Sequence, residues 1–172
     1  MSARQPEHPI DPPFTQRWSP RAFTGERIDQ ATLLGFLEAA RWAPSGYNAQ
    51  PWRFIYGRAG TPAWTPIFES LSAYNQGWAQ RASALVLVLS REQWKAPGKD
   101  ELQPNITHAF DAGAAWGYLA LQATLACWFA HGIGGFDCDK AVLPESLQAR
   151  ELPNQRLSLA QLAAEGRFAF EG

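Results

Sequence analysis

The sequence predicts a single α+β domain, and three stretches carry that reading. Ala39 to Ile55 reads as the end of an amphipathic helix, a tight polar loop and the start of a strand. The unbroken apolar run Ala84-Leu85-Val86-Leu87-Val88-Leu89 has strand length and predicts a central strand buried on both faces. From Thr107 to Ala130 apolar side chains fall all round a long helix, the pattern of a core or subunit-interface helix. A chain of 172 residues, 46% hydrophobic and 18% charged, can bury a real core rather than stay disordered.

Residues 1–16 carry four prolines and little periodicity, so they read as an extended lead-in to one domain over 17–172. Asp29 is placed to cap a helix running to about Trp42, with Leu33, Leu34, Leu37 and Ala40 on one face. Pro44 ends that helix, because it disfavours the helical conformation at Ala43 and has no N–H to donate. A short helix is expected over Trp64 to Ala73, followed by a polar loop holding Asn75 and Trp78. Arg91 to Ile106 reads as a long polar loop of the kind that covers pockets. His131-Gly132 is the expected end of the long helix.

Composition narrows the function. A net charge of −1 gives no reason to expect nucleic acid or an anionic membrane as partner. No apolar run is long enough to span a bilayer, and the polar N-terminus is unlike a signal peptide, which makes the cytoplasm the default address. Cys127 and Cys138 form neither a disulfide framework nor a metal site, and Cys127 is expected buried within its apolar helix. His8, His108 and His131 lack the spacing of a metal site or a triad and read as surface or cap residues. Eight tryptophans are more than one small core holds, so some should face an interface or a flat ligand.

Three polar patches are candidate binding elements. Pro44, Ser45, Gly46 and Asn48 form a loop whose backbone and side chains can approach a ligand closely. Arg17, Ser19 and Arg21 offer two guanidiniums and a hydroxyl, a donor set suited to phosphate, although such arginines standing alone also occur as solvated surface charges. Gly132-Ile133-Gly134-Gly135-Phe136-Asp137 is a glycine-rich turn.

These stretches carry a family resemblance. Ala39 to Phe54 resembles the A-x-x-A-P-S-x-x-N-x-Q-P-W-x-F motif of the nitroreductase family, and Arg17 to Phe23 its R-x-S-x-R-x-F motif. The central helix pattern D-x-G-x-A followed by L-x-L-Q-A-T, beginning at Asp111, and the G-G-F-D turn are similar as well. The resemblance implies a nitroreductase-like, FMN-dependent fold, with an antiparallel-rich central sheet flanked by helices in an intertwined homodimer. It also implies FMN at the dimer interface, NADH or NADPH as electron donor, and a nitroaromatic, quinone or similar small-molecule acceptor served by ping-pong. Arg17, Ser19, Arg21 and Arg156 would hold the phosphate end. Pro44, Ser45, Gly46 and Asn48 would reach the flavin from the second subunit, with Asn75, Gly134 and Gly135 completing the shell. Asn75 also reads simply as a residue capping a turn. No protein residue is assigned as catalytic and none as a metal ligand, since the flavin would carry the chemistry.

The resemblance breaks after Asp137. Lys140 to Pro153 holds only a short apolar stretch where the family places a core strand, and the likeness resumes from Pro153 to Gly172, where Ser158 and Gln161 form a capping box. Asn154 stands where a lysine is often found, which removes one cation from the implied phosphate clamp. A missing strand leaves hydrogen-bonding edges for the sheet or a partner to close. The alternative reading is therefore a non-catalytic relative that has lost productive flavin binding. A flavin-cleaving or dehalogenating relative is a third.

Overall fold

The computed structural model describes residues 4–138, 140, 141 and 162–165. Arg156, the Ser158–Gln161 box and most of the stretch in which the sequence reading finds no core strand lie outside these residues.

Helix α2 (Gln30–Arg41) starts where expected, with the Asp29 carboxylate accepting from Thr32 N at 2.8 Å. After the polar loop comes β1 (Trp52–Arg58), which pairs antiparallel with β2 (Ala84–Ser90) over its whole length, from Trp52 opposite Ser90 to Arg58 opposite Ala84. A short strand, β5 (Ala163–Glu165), runs parallel to β1 on its other side, giving the order β2-β1-β5.

Side-chain alternation along β1 divides the core in two. Trp52, Phe54 and Tyr56 point to one face, where they meet Leu33 and Leu37 of α2 and Ala115 and Leu119 of α5 (His108–Leu125). Ile55 points to the other, against Ile67 of α3 (Trp64–Ser70), Ala79 of α4 (Ala73–Ala79), Leu71 and Leu85. Helices thus cover both faces of a mixed sheet.

Several expectations need correction. The lead-in is not wholly extended: Pro12–Gln16 forms a short helix, α1, with proline in its first turn, where no N–H is missed. The helix expected over Trp64 to Ala73 is two, α3 and α4, and Asn75 and Trp78 lie on α4 rather than in a loop. The break falls at Leu71, whose extended backbone precedes the N-cap Ser72. Among the described residues the run Ala84–Leu89 is an edge strand, not the middle one. Among the described residues β2 has one neighbour, most of it is half-buried, and β1 holds the centre. The polar stretch 91–106 contains a small antiparallel pair, β3 (Gln93–Lys95) and β4 (Leu102–Pro104).

Helix α5 ends at Leu125, well before His131. Cys127 adopts a left-handed φ of 62°, its N–H bonds Thr124 O at 3.0 Å, and Trp128 N reaches back to Ala123 O at 2.8 Å. That is a Schellman termination with cysteine where glycine is usual, and it leaves Cys127 exposed rather than buried. His108 and His131 are half-buried and engaged, not simple surface or cap residues.

Candidate functional site

Two polar assemblies emerge. The first gathers the N-terminal arm, α4 and the glycine-rich turn. Arg17 donates to Ser19 Oγ at 3.4 Å, placing one guanidinium beside the hydroxyl expected to share its ligand, and Arg21 stands exposed beyond them. His131 Nδ1 lies 2.8 Å from the carbonyl of Pro20, so that nitrogen carries the proton and donates. The same ring packs on Trp78 at 4.5 Å, and Trp78 stacks on Phe23 of the arm at 6.1 Å. Trp18 meets Phe129 edge-on. These contacts fasten the arm to the body of the domain.

Asn75 links α4 to the glycine turn. Its Nδ2 donates to Gly135 O at 2.8 Å, its Oδ1 accepts from Trp78 Nε1 at 3.1 Å, and Ser72 N also donates to Gly135 O. A Cβ on residue 135 would sit 2.7 Å from Asn75 Nδ2, so glycine is what permits this approach. At Gly134 a Cβ would meet nothing within 4 Å, and the backbone there is open to a flat ligand. Beside this assembly lies a cavity of about 980 Å³, lined by Trp18, Pro20 and Phe23 of the arm, Val86 of β2, Trp116 of α5 and His131.

The second assembly is the loop after α2. Tyr47, Asn48 and Gln50 all have left-handed φ, at 50°, 57° and 45°, a conformation costing about 1–2 kcal/mol for a residue with a Cβ. Local bonds hold it. Ser45 Oγ accepts from Gln50 N at 3.0 Å, Gly46 N donates to Asp111 Oδ2 at 3.2 Å, and Arg53 Nη1 donates to Gln50 O at 3.0 Å. Arg53 is buried, and desolvation, reinforced by the charge of Arg91, pulls its pKa down to about 9. It still stays cationic at neutral pH, so the floor of the loop is positive. Tyr47, at the tip, is 82% exposed and leans on Trp94 of β3 at 6.0 Å.

Arg17 with Ser19, and Asn75 with Gly135, are therefore brought together, while Pro44 to Asn48 belong to the separate assembly on α5. Sequence reasoning missed two participants. Asp111 was legible as an acidic residue on the otherwise apolar face of Ala112, Ala115 and Leu119. His131 carried no sequence signal beyond its place after the long helix.

Fold and assemblies define a two-faced α+β domain with a large, mostly apolar cavity beside a cluster of polar side chains, the architecture of a small-molecule site. The chain belongs to the nitroreductase family, whose model matches residues 14–162, and at that level it is an oxidoreductase. The crystal structure of an oxidoreductase containing FMN is 42% identical to it, with a TM-score of 0.74 and 99% of each chain covered. A Desulfovibrio desulfuricans nitroreductase in complex with FMN is 30% identical with a TM-score of 0.54, covering 69% of this chain and 65% of that one. A Streptomyces coelicolor protein carrying the name NADH dehydrogenase/NAD(P)H nitroreductase is 44% identical over 45 residues, 26% of this chain and 22% of that protein's length.

Proposed function

We propose that this protein is an FMN-dependent oxidoreductase of nitroreductase type, working as a homodimer with one FMN in each groove between subunits. When bound, FMN supplies the redox chemistry, with NADH or NADPH as donor and a nitroaromatic, quinone or similar compound as acceptor.

The observation that carries the reading is the convergence of the arm, Asn75 and the Gly134-Gly135 turn beside one large cavity. The chain's own residues fit such a cofactor. Arg17, Ser19 and Arg21, with Arg156 as the resemblance implies, would hold the phosphate by charged hydrogen bonds. Asn75, held at both ends by Gly135 and Trp78, would offer its second amide hydrogen to the cofactor's polar edge. Gly134 leaves its backbone free to lie against the ring. Pro44, Ser45, Gly46 and Asn48 come from the second subunit.

The dimer reading is supported by α5. Phe110 and Leu125 on the helix and Ile106 just before it are strongly exposed, and Gly113 and Gly117 offer open positions along the helix where another backbone can pack.

The test is optical. Purified protein, alone or after addition of FMN, should show the absorbance of bound oxidised flavin. Arg17→Ala and Arg21→Ala should each weaken FMN binding by about 1–2 kcal/mol, roughly five- to thirtyfold, since exposed charged bonds fall at the low end of their range. Protein that stays colourless with added FMN would favour the non-catalytic alternative.

A further inference from the structure

We propose that Asp111 is a positioning residue: its buried carboxylate fixes the left-handed turn at Tyr47 and Asn48 in the shape that meets the cofactor. This rests on the FMN reading above.

Asp111 is 3% exposed, in the first turn of α5 and flush with the helix's buried apolar face. A carboxylate taken out of water must have its lone pairs answered. Oδ2 is answered by the backbone N–H of Gly46 at 3.2 Å and by Thr107 Oγ1 at 2.9 Å. The Thr107 hydroxyl also lies 3.1 Å from Asn105 Oδ1, and its single proton is shared between the two acceptors. Asn105 is itself anchored, its backbone N–H bonding Glu92 O at 2.7 Å. The start of α5 and the strand segment before it thus form a rigid bracket, and Gly46 is the point where the loop is hung on it.

Two further observations give the bracket a purpose beyond packing. The residues next to the attachment point have left-handed backbone with ordinary side chains, a state that persists only where surroundings impose it. Clearance at the attachment is also minimal, because a Cβ on residue 46 would lie 2.8 Å from Thr107 Oγ1. Free of the bracket, the segment would relax toward commoner φ values and turn the Asn48 side chain away from its present direction. Asp111 need not touch FMN to govern its affinity. Preorganisation alone suffices, because a loop already in its bound shape loses less entropy on binding.

The experiment compares wild type, Asp111→Ala and Asp111→Asn as full-length proteins by two measurements. One is hydrogen–deuterium exchange of the 44–50 segment without cofactor. The other is FMN affinity from quenching of flavin fluorescence. Asp111→Ala should speed exchange of that segment about tenfold or more and weaken FMN binding about ten- to hundredfold, the range for losing a charged hydrogen bond. Asp111→Asn keeps an acceptor oxygen for Gly46 and should stay within about threefold of wild type in both. A purely structural role would instead lower melting temperature in both variants and leave the loop's exchange no faster than the rest of α5's surroundings. Where Asp111→Ala does not fold, Thr107→Val removes the hydroxyl at constant shape and should shift both measurements the same way by a smaller factor. Wild-type FMN affinity retained in Asp111→Ala or Thr107→Val overturns the positioning role alone. A wild type that takes up no FMN overturns the cofactor reading and this inference together.

Discussion

Gly135 shows how a single missing Cβ can organise a site. The carbonyl of residue 135 is bonded by Asn75 Nδ2, and the approach is so close that an added methyl would lie 2.7 Å from that nitrogen. The atom in the way ends a short side chain, which can rotate aside but only by giving up its bond. Gly135→Ala should therefore cost about 0.5–1.5 kcal/mol of stability, the net worth of one neutral hydrogen bond. A double-mutant cycle with Asn75→Ala should show the two changes to be non-additive; strict additivity in thermal melts would disprove the coupling. The turn itself was legible from its glycines. The partner was not, because Asn75 and Gly135 stand far apart in the chain and nothing in either segment's periodicity announces the other. Pro44 to Asn48 was readable as a loop for the opposite reason: proline, serine and glycine act on their own neighbours, and local rules suffice there.

Among the elements, α5 and β2 show where sequence patterns mislead. Apolar residues continue past Leu125, so a periodicity argument carries the helix on to Ala130. The backbone stops earlier because a Schellman pair of hydrogen bonds closes at Cys127, and cysteine at a left-handed position gives no compositional warning. Cys127→Gly should remove that backbone strain and stabilise the protein by about 0.5–1 kcal/mol. For a domain of this size that is a rise of roughly 1–4 °C in Tm, readable by calorimetry; a fall would show that the cysteine side chain matters more than its φ. The sheet carries a similar lesson. The unbroken apolar run Ala84–Leu89 looks like an interior strand, whereas Arg53 and Gly57 interrupt β1 and make it look peripheral. In the fold β1 is the buried strand. Arg53 is accommodated there by backbone carbonyls, and its burial could not be read from residue type.

At the scale of the whole molecule, one face of α5 and Ile106, just ahead of the helix, are left apolar and open. Ile106 is 92% and Phe110 81% exposed, a large hydrophobic area to leave facing water. In the proposed dimer that face is covered by a second copy. Phe110→Asp should then shift the protein toward monomer, since burying a phenylalanine is worth about 1.5–3 kcal/mol and a buried unpaired carboxylate adds a penalty. Sedimentation velocity reads the outcome, and flavin content should fall in step if the groove needs both subunits. Monomeric wild type would disprove the arrangement. The apolar surround of this helix was plain in the sequence, whereas the division between its buried and open faces needed the packing of α2 to define it.

The pairing of β5 with β1 also bears on how the protein is made. Ala163 sits beside Phe54, so the parallel ladder joins segments more than a hundred residues apart. On the ribosome, β1 and β2 emerge first and can pair at once, but the place that β5 takes beside β1 stays open until residues 163–165 have been synthesised. Throughout that interval the nascent polypeptide displays an apolar strand still lacking its β5 neighbour. Chaperone binding during translation should concentrate on that window, and translation halted before Leu162 should yield a product prone to aggregate.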